Sequence, residues 1–107
     1  MNLSKPIELE FNKSNALMLL SMGCNPEEPR YGHKQIAGWC ERFWNKYCDV
    51  DAPDEIESIM PVLADVETQW DLYLANTYSV EELQSIALED VCLPVAWFQQ
   101  WFTEANA

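Results

Sequence analysis

The chain has 107 residues, 49% of them apolar, and a formal net charge of −12. That size and composition predict one core-forming domain over residues 1–107, and the three Gly and six Pro are too few for a linker-rich or fibrous chain. The charge argues against direct nucleic-acid binding and against an anionic membrane surface, because both need clustered Lys and Arg.

The charge is unevenly divided. All six Lys and Arg lie between Lys5 and Lys46, so residues 1–48 carry a net +1 while residues 49–107 carry 13 carboxylates and no base. A half that is acidic and also rich in apolar residues folds without being able to pair its own charges. That favours a positively charged partner, or acidity kept for solubility alone. Residues 1–15 show no basic stretch followed by an apolar run, and Ala16–Leu20 is too short for a signal peptide or a membrane span. The expectation is a cytoplasmic chain.

Residues 1–13 read as an extended arm. Ile7, Leu9 and Phe11 alternate with Glu8, Glu10 and Asn12, the period of a segment with one apolar face. It either lies on the domain or pairs as an edge in a dimer. A first helix is expected over Asn15–Met22, with Ser14 as its cap and Gly23 just past its end. Cys24–Gly32 reads as a loop broken by Pro26, Pro29 and Gly32.

A second helix is expected from His33 to Tyr47, with Ile36, Trp39, Cys40, Phe43, Trp44 and Tyr47 on its apolar face. Gly38 lowers helix propensity there, which suggests a close helix crossing. Asp54 with Glu57 reads as a capping box, and Pro61 should kink or split the helix that follows, with Ser58 as a second cap. Beyond Pro61, Leu63, Val66, Trp70, Tyr73 and Leu74 mark one face up to about Asn76, with Asp65, Glu67 and Asp71 pointing elsewhere.

Ser79 with Glu82 forms a second capping box, opening a helix to about Leu88 on Val80, Leu83, Ile86 and Ala87. Pro94 suits the first position of a last helix reaching about Glu104. Its Trp97, Phe98, Trp101 and Phe102 cover more than one face, as in a deeply buried terminal helix. The fold class is therefore all-α: a compact irregular bundle of four to five helices with a short extended N-terminal arm. The long loop and the Pro61 break argue against a regular up-down bundle.

Motifs that carry chemistry are scarce. Asp49, Asp51, Asp54, Glu55 and Glu57 form the densest carboxylate run, but as a calcium loop starting at Asp49 it puts Pro53 on a ligand position, Asp54 where Gly is needed and Met60 in place of the bidentate Glu. Caps and a solvated turn explain it as well as weak divalent binding does. The only His is His33, the Cys are Cys24, Cys40, Cys48 and Cys92, and no CxxC occurs, so zinc lacks its paired spacings. Cys40 and Cys48 fall roughly 12 Å apart along one helix, too far for a disulfide. The four thiols are expected reduced and mostly buried, His33 exposed at a helix start, and Trp39, Trp44 and Trp70 in the core. No Glu-x-x-His pair, phosphate loop or nucleophile elbow occurs.

The leading expectation is a non-catalytic acidic interaction protein that binds a basic protein partner. The logic is that of immunity proteins and DNA-mimic inhibitors, in which carboxylates stand in for phosphates. The surface is drawn from Asp54, Glu57, Asp65, Glu67, Asp71, Glu81, Glu82, Glu89 and Asp90. No catalytic, cofactor or metal residue is assigned. The alternatives are a structural or regulatory homodimer, joined through the arm or the last helix and acidic for solubility only, and a ligand-binding domain with an aromatic pocket.

Overall fold

The computed structural model of the chain describes residues 7–24, 31–86 and 91–106. These residues are all-α, with no strand among them. Four long helices, α1 (Lys13–Gly23), α2 (His33–Tyr47), α4 (Met60–Thr77) and α6 (Val95–Ala105), are joined by two short ones, α3 (Asp54–Glu57) and α5 (Val80–Ser85). The packing is chiefly α2 on α4 and α1 on α6, tied together by α1–α2 and α4–α6 contacts.

The core follows from the apolar faces. Leu19 and Leu20 of α1, Ile36, Trp39 and Phe43 of α2, Leu63 and Val66 of α4 and Phe98 of α6 are all fully buried. Each contributes about 1.5–3 kcal/mol of burial relative to an exposed side chain. Trp39 and Phe43 stack edge to face at 5.2 Å, and Phe11 sits 5.5 and 5.2 Å from the two rings.

The alternating segment does lie on the domain. Ile7 is buried, Leu9 and Phe11 are half-buried, and Glu8 and Glu10 are exposed. Its carbonyls are held from α2: Trp39 Nε1–H donates to Leu9 (3.1 Å) and Arg42 Nη2 to Ile7 (2.9 Å). The extended part ends sooner than expected, because Asn12 rather than Ser14 caps α1, accepting the Asn15 N–H at 2.8 Å, and Lys13 is already helical.

Helix α2 has the expected bounds. Its start lacks a side-chain cap, but Gln35 Oε1 accepts the Gly32 N–H at 2.8 Å, half of a capping box. Pro61 splits the next helical stretch, as expected, and sits in the first turn of α4, where its missing N–H costs nothing. The caps differ from the sequence reading. Pro53, not Asp54, precedes α3, no Asp54 capping bond forms, and Ser58 closes α3 by donating to the Glu55 carbonyl (2.8 Å). The Ser79–Glu82 box is present in both directions, at 3.1 and 3.0 Å. Helix α5 nevertheless stops at Ser85 and buries no residue, and Val80 is 72% exposed. The Ala87 and Leu88 positions lie outside the described residues, as do Pro26 and Pro29 of the loop.

The two glycines exchange roles. A side chain at Gly38 would meet only Arg42 Nη1, at 3.6 Å, so no close crossing explains that glycine. Gly23 is the last residue of α1 rather than the one past its end, and a Cβ there would land in the Phe98 ring. The close approach of α1 and α6 is made at Gly23.

Candidate functional site

The carboxylates from which the acidic surface is drawn lie on several elements. Asp54 and Glu57 are exposed on α3, and Glu81 and Glu82 on α5, where Glu82 is already committed to the capping box. Glu89 and Asp90 lie outside the described residues. On α4, helical geometry puts Glu67 and Asp71, four residues apart, on one flank of the buried stripe and Asp65 on the other.

Glu67 and Asp71 are joined by a carboxylate that the sequence reading left out. Glu41 projects from α2, the partner helix of α4, and its charge reaches Glu67. Partial burial raises the Glu67 pKa from its ordinary value, and the Asp71 and Glu41 charges raise it further. Here acids from the two halves of the sequence act on one another. Glu41 was missed because it belongs to the segment with net positive charge, and only the pairing of α2 with α4 makes it a neighbour.

Asp65 has a different role from the solvated acid expected. Half-buried, it accepts the Trp101 Nε1–H at Oδ2 (2.7 Å) and a longer contact from Gln69 Nε2 at Oδ1 (3.4 Å). With Gln69, Trp97, Gln100 and Trp101 it lines a cleft of about 220 Å³ between α4 and α6. The terminal helix is buried through Phe98 and Trp101, while Trp97 and Phe102 are only half-buried.

A second, larger groove of about 510 Å³ runs between the end of α2 and the start of α4. Trp44, Tyr47, Val50, Met60 and Pro61 form its apolar wall, with Glu57 as its carboxylate. Trp44 is therefore not a core residue. It is 36% exposed, unlike Trp39 and Trp70, which are buried. Lys46, the last base in the sequence, is drawn off to the rings of Phe11 and Tyr47, 5.7 and 5.5 Å from their centroids.

His33 is buried, against the expectation of a surface residue. Nδ1 accepts the Leu93 N–H (2.7 Å), which leaves Nε2–H to donate to the Gly23 carbonyl (3.2 Å), and the ring stacks on Phe98 at 4.2 Å. Burial lowers its pKa, the Gly23 bond acting weakly the other way. Both ring nitrogens are thus committed to backbone, and neither remains for a metal or for a Cys–His pair. Burial pushes the Cys40 thiol up to about 12, the thiol form rather than the nucleophilic thiolate. Cys24 is raised by burial too and donates to the Leu20 carbonyl (3.4 Å). The Cys are not disulfide-bonded, but Cys48 and Cys92 are exposed, so the thiols are less buried than expected.

Among the described residues no group of three His, Cys, Asp or Glu converges closely enough to hold a metal ion, and no helix is long and apolar enough to cross a membrane. Compared with protein-family models, with curated proteins and with solved structures, the chain matches none.

Proposed function

We propose that this chain is a non-catalytic interaction protein whose acidic surface binds a basic protein partner, in the manner of an inhibitor that presents carboxylates to a basic site. One observation carries the reading: α2 packs on α4, and besides burial the two charges that act on Glu67 are carboxylates, Asp71 of its own helix and Glu41 of α2. An approaching Lys or Arg relieves that repulsion, so part of the binding energy is already stored in the free protein. Residues 47–107 add further acids and no base, and on α2 itself Arg42 is engaged with the Ile7 carbonyl and Lys46 with the Phe11 and Tyr47 rings.

A homodimer is the second reading, favoured by the groove at Trp44, Val50 and Met60. Two chains of charge −12 repel, and the arm and the last helix are both engaged in their own domain, which makes it the weaker of the two. A monomer by light scattering at high protein concentration removes it. The test of the leading reading is calorimetry on the chain and its purified partner between about 0.1 and 1 M salt, where the screening length falls from roughly 10 to roughly 3 Å. Affinity that falls steeply supports it, and unchanged affinity removes it.

A further inference from the structure

The cleft between α4 and α6 sets two indoles beside one carboxylate of the acidic surface, Asp65. Two indoles meet in it at a steep angle, Trp97 and Trp101 with centroids 6.3 Å apart and planes at 66°. Trp97 is braced from behind by Tyr73, edge to face at 5.9 Å. Asp65 lines the cleft beside them, its orientation fixed by the 2.7 Å bond from Trp101.

The cleft is rich in acceptors. A carboxylate offers about four lone-pair sites, and Asp65 uses one on Trp101 and one, at 3.4 Å, on Gln69. Gln69 gives one amide N–H to Asp65 and Gln100 gives one to Glu104 (3.1 Å), and each side chain also carries a carbonyl that can accept. Neither α4 nor α6 contains a Lys or Arg, so no cation is supplied from either wall.

Aromatic faces beside a carboxylate and amide carbonyls are the chemistry of a planar cation with several N–H donors. A guanidinium fits better than an ammonium, because it stacks on an indole while its fork bonds a carboxylate. The volume, about 220 Å³, is below the roughly 300–1,000 Å³ of small-molecule sites and suits one side-chain head rather than a whole ligand.

We propose that the Asp65–Trp97–Trp101 cleft seats one arginine side chain of a basic protein, its guanidinium stacked on Trp97 and hydrogen-bonded to Asp65. This rests on the interaction reading above and adds the residue type that the partner must present. The cleft and the Glu41–Glu67–Asp71 cluster flank α4 on opposite sides, and a helix is about 10–12 Å across, so one partner can straddle it.

The experiment uses the full chain labelled with ¹⁵N and follows the indole N–H signals during titration with Nα-acetyl-arginine amide. The expected result is a saturable shift of Trp97 and Trp101 at millimolar probe, a still Trp39 signal, and no response to the uncharged citrulline analogue. Asp65→Asn, which keeps an acceptor for Trp101, weakens the probe by about tenfold or more, and Trp97→Leu does the same. Absent shifts, equal shifts with citrulline, or unchanged affinity in both variants overturn the proposal. If the arginine probe leaves the indoles unmoved while a basic partner still binds and still leaves with salt, the cleft assignment falls and the interaction reading stands. If the probe seats but no basic partner binds, the interaction reading falls instead.

Discussion

Gly23 and Phe98 meet so closely that no side chain fits between them: a Cβ on Gly23 would enter the ring. The contact joins the end of α1 to the middle of α6, and His33 completes it by stacking on the same ring and bonding the Gly23 carbonyl. Gly23→Ala is therefore expected to cost about 1–3 kcal/mol through overpacking, although Ala is the better helix former. Chemical denaturation of the variant checks this, and a neutral or stabilised variant contradicts the packing.

Gly38→Ala should act in the opposite direction. Its Cβ would meet only a flexible arginine tip at ordinary van der Waals distance, inside a helix of fifteen residues. A gain of up to about 1 kcal/mol is expected from helix propensity alone, read as a higher denaturation midpoint with an unchanged slope.

The contrast between these glycines marks what the sequence could convey. Local patterns were legible: the bounds of α2 from its apolar spacing, the Ser79–Glu82 box, the split at Pro61 and the alternation of Ile7, Leu9 and Phe11 all depend on neighbours a few residues away. Relationships between distant segments were not. His33 reaches Leu93 across 60 residues and Asp65 reaches Trp101 across 36, and nothing near either residue announces its partner. Glu41 was hidden in the same way, since its role follows from which helix lies against α2. The candidate site was legible as a charge imbalance and not as a place.

The burial of His33 sets a pH dependence. An unfolded His takes up its proton near pH 6.5, whereas burial makes the folded ring take it at lower pH. Below about pH 6.5 the unfolded state holds the extra proton, so the His33 contribution is complete above that pH and is lost as pH falls, by at most about 1.4 kcal/mol per pH unit. His33→Phe leaves the Leu93 N–H and the Gly23 carbonyl without partners, and should cost about 1–3 kcal/mol at pH 7.5. The gap between the two proteins should narrow as pH falls from 6.5 to 5. A gap that is constant with pH contradicts the assignment.

Glu67 carries the opposite sign. Its pKa is raised on folding, so its charge opposes folding above the unfolded pKa of about 4.3, and the penalty disappears at lower pH, where the group is protonated in both states. Glu67→Gln also removes a like-charge pair with Asp71 at helical spacing, worth about 0.2–0.5 kcal/mol. The variant should melt roughly 1–4 °C higher at pH 7, with the difference shrinking in high salt and at pH 4.

The arm depends on α2 for its carbonyl bonds. Trp39→Phe removes the donor to Leu9 and leaves a void in the core, at an expected cost of about 1–3 kcal/mol. Limited proteolysis should then cut residues 7–11 faster than in the wild type, and equal rates would show that the bond does not hold the arm.

The central claim concerns where the charge lies, not how much there is. The most direct measurement is capture of basic proteins from a lysate of the native host on three immobilised forms of the chain: the wild type, Glu41→Gln/Glu67→Gln/Asp71→Asn, and Asp51→Asn/Glu55→Gln/Glu81→Gln. The two variants have the same net charge. The account predicts a basic protein retained by the wild type, released as salt rises, kept by the second variant and lost by the first. Equal loss from both variants, or retention by both, would contradict a localised acidic site and return the acidity to solubility alone.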